Sequence, residues 1–165
     1  EFRRVLFRSE TPVIAPEPYF LRFPRFSNNA GQSFLHHRGE PDCTEIITIP
    51  NNPDGRLYSP YFERSTKIYD LSYNWPQYYS SGIPLKANYD IMVYSLAKAT
   101  GHAATRIGWA IIKDEKLAKA VDEYIEHSTA GVSIEAQSNA ICILNHQTQE
   151  RNTCFTYGHE VLSKR

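Results

Sequence analysis

The clearest hydrophobic pattern in the chain is a series of four short apolar runs separated by polar and turn-forming residues. Runs of this length, rich in β-branched and aromatic residues, predict buried strands. The four runs are "TEIITIP" (44–50), "TKIYDLSY" (66–73), "YDIMVYSL" (89–96) and "TRIGWAIIKD" (105–114). The segment "NNPDG" (51–55) directly follows the first run and predicts a tight turn there.

Two amphipathic helices are predicted after the fourth strand. Asp114 is a good N-cap for "EKLAKAVDEYIEHS" (115–128), and Ser133 is a good N-cap for the helix that follows. Five residues of the first helix are expected to face inward: Leu117, Ala118, Val121, Tyr124 and Ile125. Four residues of the second are expected to face inward: Ile134, Ala140, Ile141 and Leu144. Apolar strands followed by amphipathic helices predict an α/β domain with a largely parallel sheet.

The two ends of the chain carry a different pattern. The opening "EFRRVLFRSE" has three arginines and lacks the apolar centre of a signal peptide. Glu-Phe is also what a common cloning site encodes, so residues 1–10 are expected to be a cloning or assembly scar. Residues 11–44 are rich in Pro, Phe, Asn and His without a clean period, which predicts a mostly irregular segment. The chain stops at "VLSKR" within a helical pattern, so residues 11–165 are expected to be an excerpt of a longer domain.

Composition narrows the class of protein. The 165 residues include 18 basic and 18 acidic residues, and this balance argues against a nucleic-acid partner. With 41% hydrophobic residues the chain is expected to be globular. The sequence has no run of 18 apolar residues, so no membrane span is predicted. Cys43, Cys142 and Cys154 are widely spaced, which argues against a disulfide framework or a metal site. A reducing, cytoplasmic location is expected, with the vacuole or the endomembrane system as the alternative.

One lysine stands out within "YSLAKATGHAATRIGWAII" (94–112). Lys98 has small and apolar neighbours, and a buried ammonium must be paired, neutralised or given a chemical use. A simpler alternative is that its aliphatic stem packs while the charge reaches solvent. Asn52, Asp70 and Lys98 all lie at or just after predicted strand ends, where ligands collect in α/β sheets.

The polar residues near these strand ends have the chemistry that pyridoxal phosphate requires. The cofactor needs an amine for its aldehyde, a carboxylate for its ring nitrogen, donors for its ring hydroxyl, and a cation with hydroxyls for its phosphate. The residues that offer these groups are Lys98, Asp70, Tyr73, Asn52, Arg106 and Ser95. Each also has a structural alternative, such as a surface carboxylate, a packed aromatic ring or a turn amide.

The order of these residues resembles a known family. Asn-Pro-x-Gly, then Asp-x-x-Tyr, then Ser-x-x-Lys with an arginine eight residues later, resembles the fold-type I pyridoxal-phosphate aminotransferases. More narrowly, "IPNNPDG", "YDLSYNWPQY" and "LAKATGHAATRIGWAIIKD" resemble the plant alliinase and tryptophan aminotransferase-related family. The resemblance implies a three-layer α/β fold with a mostly parallel sheet, of which this chain is an incomplete fragment.

The resemblance also implies a role for each residue. Lys98 would be the catalytic residue that binds the cofactor's aldehyde and carries a proton. Asp70 would pair with the ring nitrogen, while Asn52 and Tyr73 would bind the ring hydroxyl.

Two further residues would bind the cofactor's phosphate, and the sequence departs from the family beside both. Ser95 and Arg106 would hold the phosphate. Ala97 stands where the family usually has serine, and Ala104 where it usually has glycine.

Three functions remain open from the sequence. The first is an aminotransferase that moves the amino group of an aromatic L-amino acid to a 2-oxo acid. Tryptophan is the expected donor, and its product indole-3-pyruvate would feed auxin synthesis. The second is an alliinase-type carbon–sulfur lyase acting on S-alkyl cysteine sulfoxides, and the third is a non-catalytic relative or truncated product. The resemblance implies a homodimer, and the isolated fragment is expected to be inactive.

Overall fold

One five-stranded sheet organises the chain. The computed structural model describes residues 11–36, 41–149 and 153–164, so the predicted scar at residues 1–10 lies outside the described residues. The strands are β1 (Val13–Ile14), β2 (Thr44–Thr48), β3 (Thr66–Asp70), β4 (Ile91–Ser95) and β5 (Gly108–Ile112). They are arranged in chain order, the first four parallel and β5 antiparallel to β4. The predicted α/β class with a largely parallel sheet is confirmed.

Five α-helices are described along the chain. They are α1 (Phe23–Asn29), α2 (Leu96–Thr100), α3 (Glu115–Thr129), α4 (Ile134–Gln149) and α5 (Cys154–Ser163). Both predicted caps are confirmed, because Asp114 accepts from the Leu117 amide at 2.7 Å and Ser133 Oγ accepts from the Ala136 amide at 3.1 Å. Two 3-10 helices, Pro76–Tyr78 and Ala103–Thr105, lie in the loops beside α2.

The segment at residues 11–44 is more ordered than its composition indicates. Val13 and Ile14 form β1 against Thr44 and Glu45 of β2. Helix α1 follows, with a proline in its first turn, and it buries Phe23 completely. The prediction of a mostly irregular segment is confirmed for most of these residues, but β1 and α1 were missed, because a two-residue strand and a seven-residue helix are too short to show a period.

Alternate residues of the strands form two hydrophobic clusters. Ile46, Ile68 and Ile91 pack with Phe23 of α1, and Leu117 of α3 lies against this cluster. The neighbouring positions Ile47, Tyr69 and Met92 form a second cluster, covered by the loop residues Tyr58, Ala87 and Tyr89. Side chains of a strand alternate between the two faces of the sheet, so the two clusters occupy opposite faces.

The inward face predicted for α4 was wrong. Ala140 is buried, but Ile134 is 78% and Ile141 60% exposed, and Leu144 is also exposed. The helix has apolar residues on two sides, and the side that includes Ala140 and the half-buried Ile143 is the one that packs. Periodicity alone could not choose between the two sides.

None of the described helices is long and apolar enough to cross a membrane. Cys43, Cys142 and Cys154 are free thiols. Within residues 11–36, 41–149 and 153–164, no three His, Cys, Asp or Glu side chains form a group that could hold a metal ion.

Candidate active site

The carboxyl ends of β2, β3 and β4 lie side by side at one edge of the sheet. Thr48, the last residue of β2, is in register with Asp70, the last residue of β3, and Asp70 is in register with Val93 of β4. Asn52 follows β2 in the turn, and Ser95 ends β4. Parallel pairing therefore brings polar residues from distant parts of the sequence to one place.

A cavity of about 870 Å³ lies at this edge. Its lining includes all six residues that the motifs predict: Asn52, Asp70, Tyr73, Ser95, Lys98 and Arg106. Aromatic side chains complete the walls, among them Phe20, Tyr94 and Trp109. Burial raises the pKa of Tyr94 above its ordinary value. Cavities of this size accommodate cofactors and substrates.

Asn52, Tyr73 and Lys98 form one group within the cavity. Asn52 Nδ2 donates a hydrogen bond to Tyr73 Oη at 3.2 Å. The Nζ atom of Lys98 lies 5.3 Å from the centre of the Tyr73 ring, within the range of a cation–π contact. The turn residue, the aromatic residue and the lysine therefore meet, although each has a separate structural explanation in the sequence.

Lys98 lies on the exposed side of the short helix α2. Leu96 and Ala99 are buried in the same helix, whereas the Lys98 side chain is exposed and lines the cavity. Of the two possibilities that the sequence left open for Lys98, the structure shows the one in which the charge is not buried. Helix α2 begins directly after β4 and turns its apolar residues to the core, which leaves the lysine facing the cavity.

Asp70 provides a largely buried carboxylate at the end of β3. Only 8% of the residue is exposed, and its Oδ1 accepts from the Ser72 amide at 3.1 Å and from Ser72 Oγ at 2.5 Å. Among the residues that the structure describes, no Lys, Arg or His lies within 4 Å of this carboxylate. A buried carboxylate is stabilised by a nearby positive charge or further donors.

Ser95 and Arg106 come together because β4 and β5 form an antiparallel pair. Ser95 is in register with Gly108, and the Leu96 amide donates to the Ile107 carbonyl at 3.0 Å. A Cβ atom at Gly108 would lie 2.6 Å from the Tyr94 carbonyl oxygen, so this close approach requires glycine. The Arg106 guanidinium is exposed and donates to the Ala103 carbonyl at 3.0 Å.

Sequence reasoning missed two other residues of the cavity. Ser72 binds Asp70 as the third residue of an Asp-x-Ser sequence, a spacing that favours a local turn and could have identified it. Thr48 lies two residues beyond Ile46 and so shares the face of the sheet that carries Asp70. Its Oγ1 is buried, and no described residue is its hydrogen-bond partner. No local sequence signal marks that hydroxyl.

The residues fit the cofactor that the motif resemblance implies. The cavity combines a free amine, an Asn–Tyr donor pair, a carboxylate without a neighbouring cation and an exposed guanidinium. The buried Thr48 hydroxyl without a partner adds another group that a polar ligand can satisfy. Pyridoxal phosphate presents a cationic ring nitrogen, a ring hydroxyl, an aldehyde and a phosphate, which match these groups in kind.

Comparison with known proteins gives the family. A family model described as allinase matches residues 6–165. Tryptophan aminotransferase-related protein 2 from Oryza sativa subsp. japonica is 34% identical over 142 residues, covering 80% of this chain and 28% of the relative. Alliin lyase from Allium cepa is 40% identical over 173 residues, covering 94% of this chain and 36% of the relative. The chain thus spans about a third of the length of these curated relatives.

Solved structures give the same fold. An aminotransferase from Staphylococcus aureus matches with a TM-score of 0.75 at 17% identity, covering 98% of this chain and 50% of that one. Aspartate aminotransferase from Thermus thermophilus, solved with maleate, matches with a TM-score of 0.71 at 19% identity, covering 99% of this chain and 49% of that one. The family and the fold-type I architecture predicted from the motifs are both confirmed.

Proposed function

The chain belongs to the alliinase family, and on that premise we propose that it is part of a pyridoxal-phosphate-dependent aminotransferase. The proposed reaction moves the amino group of an aromatic L-amino acid to a 2-oxo acid. Tryptophan is the proposed donor, with indole-3-pyruvate for auxin synthesis as the product. The tryptophan aminotransferase-related proteins of Oryza sativa and Arabidopsis thaliana, 34% and 35% identical, support this choice.

Lys98 and Asp70 carry the chemistry in this proposal. Alliinases and fold-type I aminotransferases depend on pyridoxal phosphate. When bound, the cofactor supplies an electron sink for the negative charge left on the substrate's α-carbon. Lys98 binds the aldehyde through Nζ and then moves a proton at that α-carbon. Asp70 holds the proton on the ring nitrogen, because a neighbouring carboxylate favours the cationic form.

The other four residues orient the cofactor. Asn52 and Tyr73 bind the ring hydroxyl, while Ser95 and Arg106 hold the phosphate through a hydroxyl and a guanidinium fork. The observation that carries the proposal is the meeting of all six predicted residues at one cavity, with the lysine amine beside the Tyr73 ring.

A second candidate is a carbon–sulfur lyase that acts on S-alkyl cysteine sulfoxides. The alliin lyases of Allium species, up to 40% identical, support it. Both reactions require Lys98 to take the proton from the α-carbon. They differ in the next step, since the lyase releases a sulfur leaving group from the β-carbon and the aminotransferase breaks no bond there. A non-catalytic relative is the third candidate, and Ala97 in place of the family's usual serine is the observation that favours it.

Two assays of the full-length protein with pyridoxal phosphate test these candidates. The first supplies tryptophan and pyruvate, and the second supplies an S-alkyl cysteine sulfoxide. Indole-3-pyruvate from the first supports transamination, whereas pyruvate and ammonia from the second would replace it with the lyase. Inactivity in both, without borohydride-trappable cofactor, would favour the non-catalytic relative.

The variants Lys98→Arg and Lys98→Ala provide the control for the role of the lysine. Arginine keeps the charge and approximate length, but its guanidinium stays protonated and cannot bind the aldehyde covalently. Both variants should lose turnover and the cofactor attachment that borohydride traps at peptide 96–100. Attachment to another lysine, or normal turnover in Lys98→Arg, would contradict the assigned role.

The oligomeric state and the location are also proposals. A homodimer is proposed from the resemblance to fold-type I enzymes, and a cytoplasmic location from the three free cysteines.

A further inference from the structure

The helix that carries Lys98 has carbonyl groups at its end that its own backbone does not pair. Helix α2 has five residues and is capped by Gly101, which adopts a φ of 79° and donates its amide to the Ala97 carbonyl. The carbonyls in the last turn of a helix have no intrahelical donor. Lys98 and Ala99 hold two of these carbonyls.

Side chains from the 3-10 helix Pro76–Tyr78 bind both carbonyls. Gln77 Nε2 donates to the Lys98 carbonyl at 3.1 Å and to the Ala99 carbonyl at 3.0 Å. Tyr78 Oη donates to the Lys98 carbonyl at 3.1 Å. The backbone of Lys98 is therefore held by two side chains that belong to another part of the chain.

The same 3-10 helix also fixes Tyr73. The Tyr78 ring packs edge-to-face against the Tyr73 ring, with centroids 5.2 Å apart. The Lys98 amine also contacts the Tyr73 ring, with Nζ 5.3 Å from the ring centroid. One segment thus sets the relative position of the lysine and of the aromatic residue beside it.

The segment is built for rigidity. Gln77 is buried. Gly158 of α5 packs closely on it, because a Cβ atom added at Gly158 would lie only 3.0 Å from the Cβ atom of Gln77. Burial, followed by the influence of Tyr73 and Cys154, raises the pKa of Tyr78, so the phenol keeps its proton and remains a donor. Cys154 Sγ adds a weak contact to the Ala99 carbonyl at 3.6 Å.

We propose that Gln77 and Tyr78 are positioning residues that hold the Lys98 backbone so that its amine reaches the cofactor's aldehyde. Neither residue lines the cavity, so they act through Lys98 and do not touch the cofactor. The inference rests on the proposed function, because it concerns the covalent attachment of pyridoxal phosphate. In that attachment a carbon–nitrogen double bond forms and the aldehyde oxygen leaves as water.

The variants Tyr78→Phe and Gln77→Met test the inference in the full-length apoprotein. Each removes the donors and keeps most of the side-chain volume. Tyr79→Phe is the matched control, because it loses one hydroxyl whose partner is Asn74 Oδ1 at 2.7 Å, away from α2. Two quantities are measured after addition of pyridoxal phosphate. The first is the dissociation constant of the cofactor, measured before borohydride is added. The second is the rate at which borohydride-trappable attachment to Lys98 appears.

The expected result is a selective loss of attachment rate. Tyr78→Phe should slow attachment about fivefold to tenfold, the equivalent of one hydrogen bond, while the dissociation constant changes less than threefold. Gln77→Met should slow it further, and Tyr79→Phe should not slow it. An attachment rate within twofold of the parent in both folded variants, or equal slowing in Tyr79→Phe, would overturn the inference. A residue with only a structural role would lower the unfolding temperature without changing this rate.

Amide hydrogen exchange in the apoprotein separates this inference from the proposed function. Peptide 96–101 should exchange faster in Gln77→Met and Tyr78→Phe than in the parent or in Tyr79→Phe, with no cofactor present. If this difference holds but the parent never attaches pyridoxal phosphate, the proposed function fails and the restraint on α2 stands. If exchange is unchanged, the inference itself is wrong.

Discussion

Arg106 adopts an uncommon backbone conformation for its residue type. Its φ of 57° and ψ of 35° lie in the left-handed region, which costs an L-residue about 1 kcal/mol. Strained conformations of this kind cluster at ligand sites, where the surrounding structure imposes them. The exposed guanidinium of Arg106 lines the same cavity as Ser95, the residue proposed to share the phosphate with it.

Substitutions of Arg106 distinguish the contribution of its backbone conformation to cofactor binding from the contribution of its charge. Arg106→Ala should weaken retention of pyridoxal phosphate about a hundredfold, and Arg106→Lys about tenfold, because lysine keeps a charge but loses the bidentate fork. Arg106→Gly should behave like Arg106→Ala, although glycine adopts the left-handed region freely. Equilibrium dialysis against the cofactor measures these differences. Equal retention in the Ala and Lys variants would show that Arg106 does not bind the phosphate.

At the residue scale, the order of the motif residues along the chain predicted six residues that line the cavity. It could not identify Thr48, because only the folded structure shows that this buried hydroxyl has no hydrogen-bond partner among the described residues. It left the exposure of Lys98 open, because small apolar neighbours do not show which way the lysine points. The restraint by Gln77 depends on a contact over 21 positions of sequence, which no local pattern reports.

At the element scale, the four apolar runs gave reliable strand predictions, whereas very short elements and a helix with two apolar sides did not. All four predicted strands are present, while β1 and α1 were missed.

Glu45 shows a constraint that periodicity alone does not reveal. It is fully buried in β2, and its carboxylate accepts from the Tyr61 and Phe62 amides at 2.6 and 2.9 Å and from Ser65 Oγ. One strand residue therefore holds the loop that leads into β3.

Loss of the Glu45 carboxylate should destabilise the full-length protein. Glu45→Gln should lower the free energy of unfolding by about 3 kcal/mol, because an amide nitrogen faces buried donors and leaves at least one unpaired. Glu63→Gln, at an exposed residue of the same loop, is the control and should change it by less than about 0.5 kcal/mol. Denaturant unfolding measures both values. A cost below about 1 kcal/mol for Glu45→Gln would mean that this network does not hold the loop.

At the scale of the whole molecule, the predicted fold is confirmed but apolar surface remains uncovered. Ile134 and Ile141 of α4 and Ile111 of β5 are exposed. Within the described residues β5 pairs only with β4, so its outer edge offers free backbone groups. The sequence could predict the sheet from its strands, but the exposure of these side chains depends on which other segments pack on them.

Expressed alone, the 165-residue chain should be marginally stable. Its exposed apolar side chains should bind the dye ANS, and thermal unfolding should be broad. Replacing Ile134 and Ile141 together by glutamine should reduce ANS binding, whereas replacing the exposed polar residues Gln137 and Ser138 by alanine should not. A sharp, cooperative transition without ANS fluorescence would contradict this prediction.

The in-register pairing of Thr48 with Asp70 has a consequence for inherited changes in the gene. Side chains alternate between faces along a strand, so loss of one codon inside β3 would place either Asp70 or a core residue on the wrong face. Loss of the codon for Ser59, in an exposed loop, would leave every strand in register. Two in-frame deletions of identical size would therefore differ in phenotype: the allele missing Ser59 would keep the register of the sheet at the cavity, and the allele shortened within β3 would lose it.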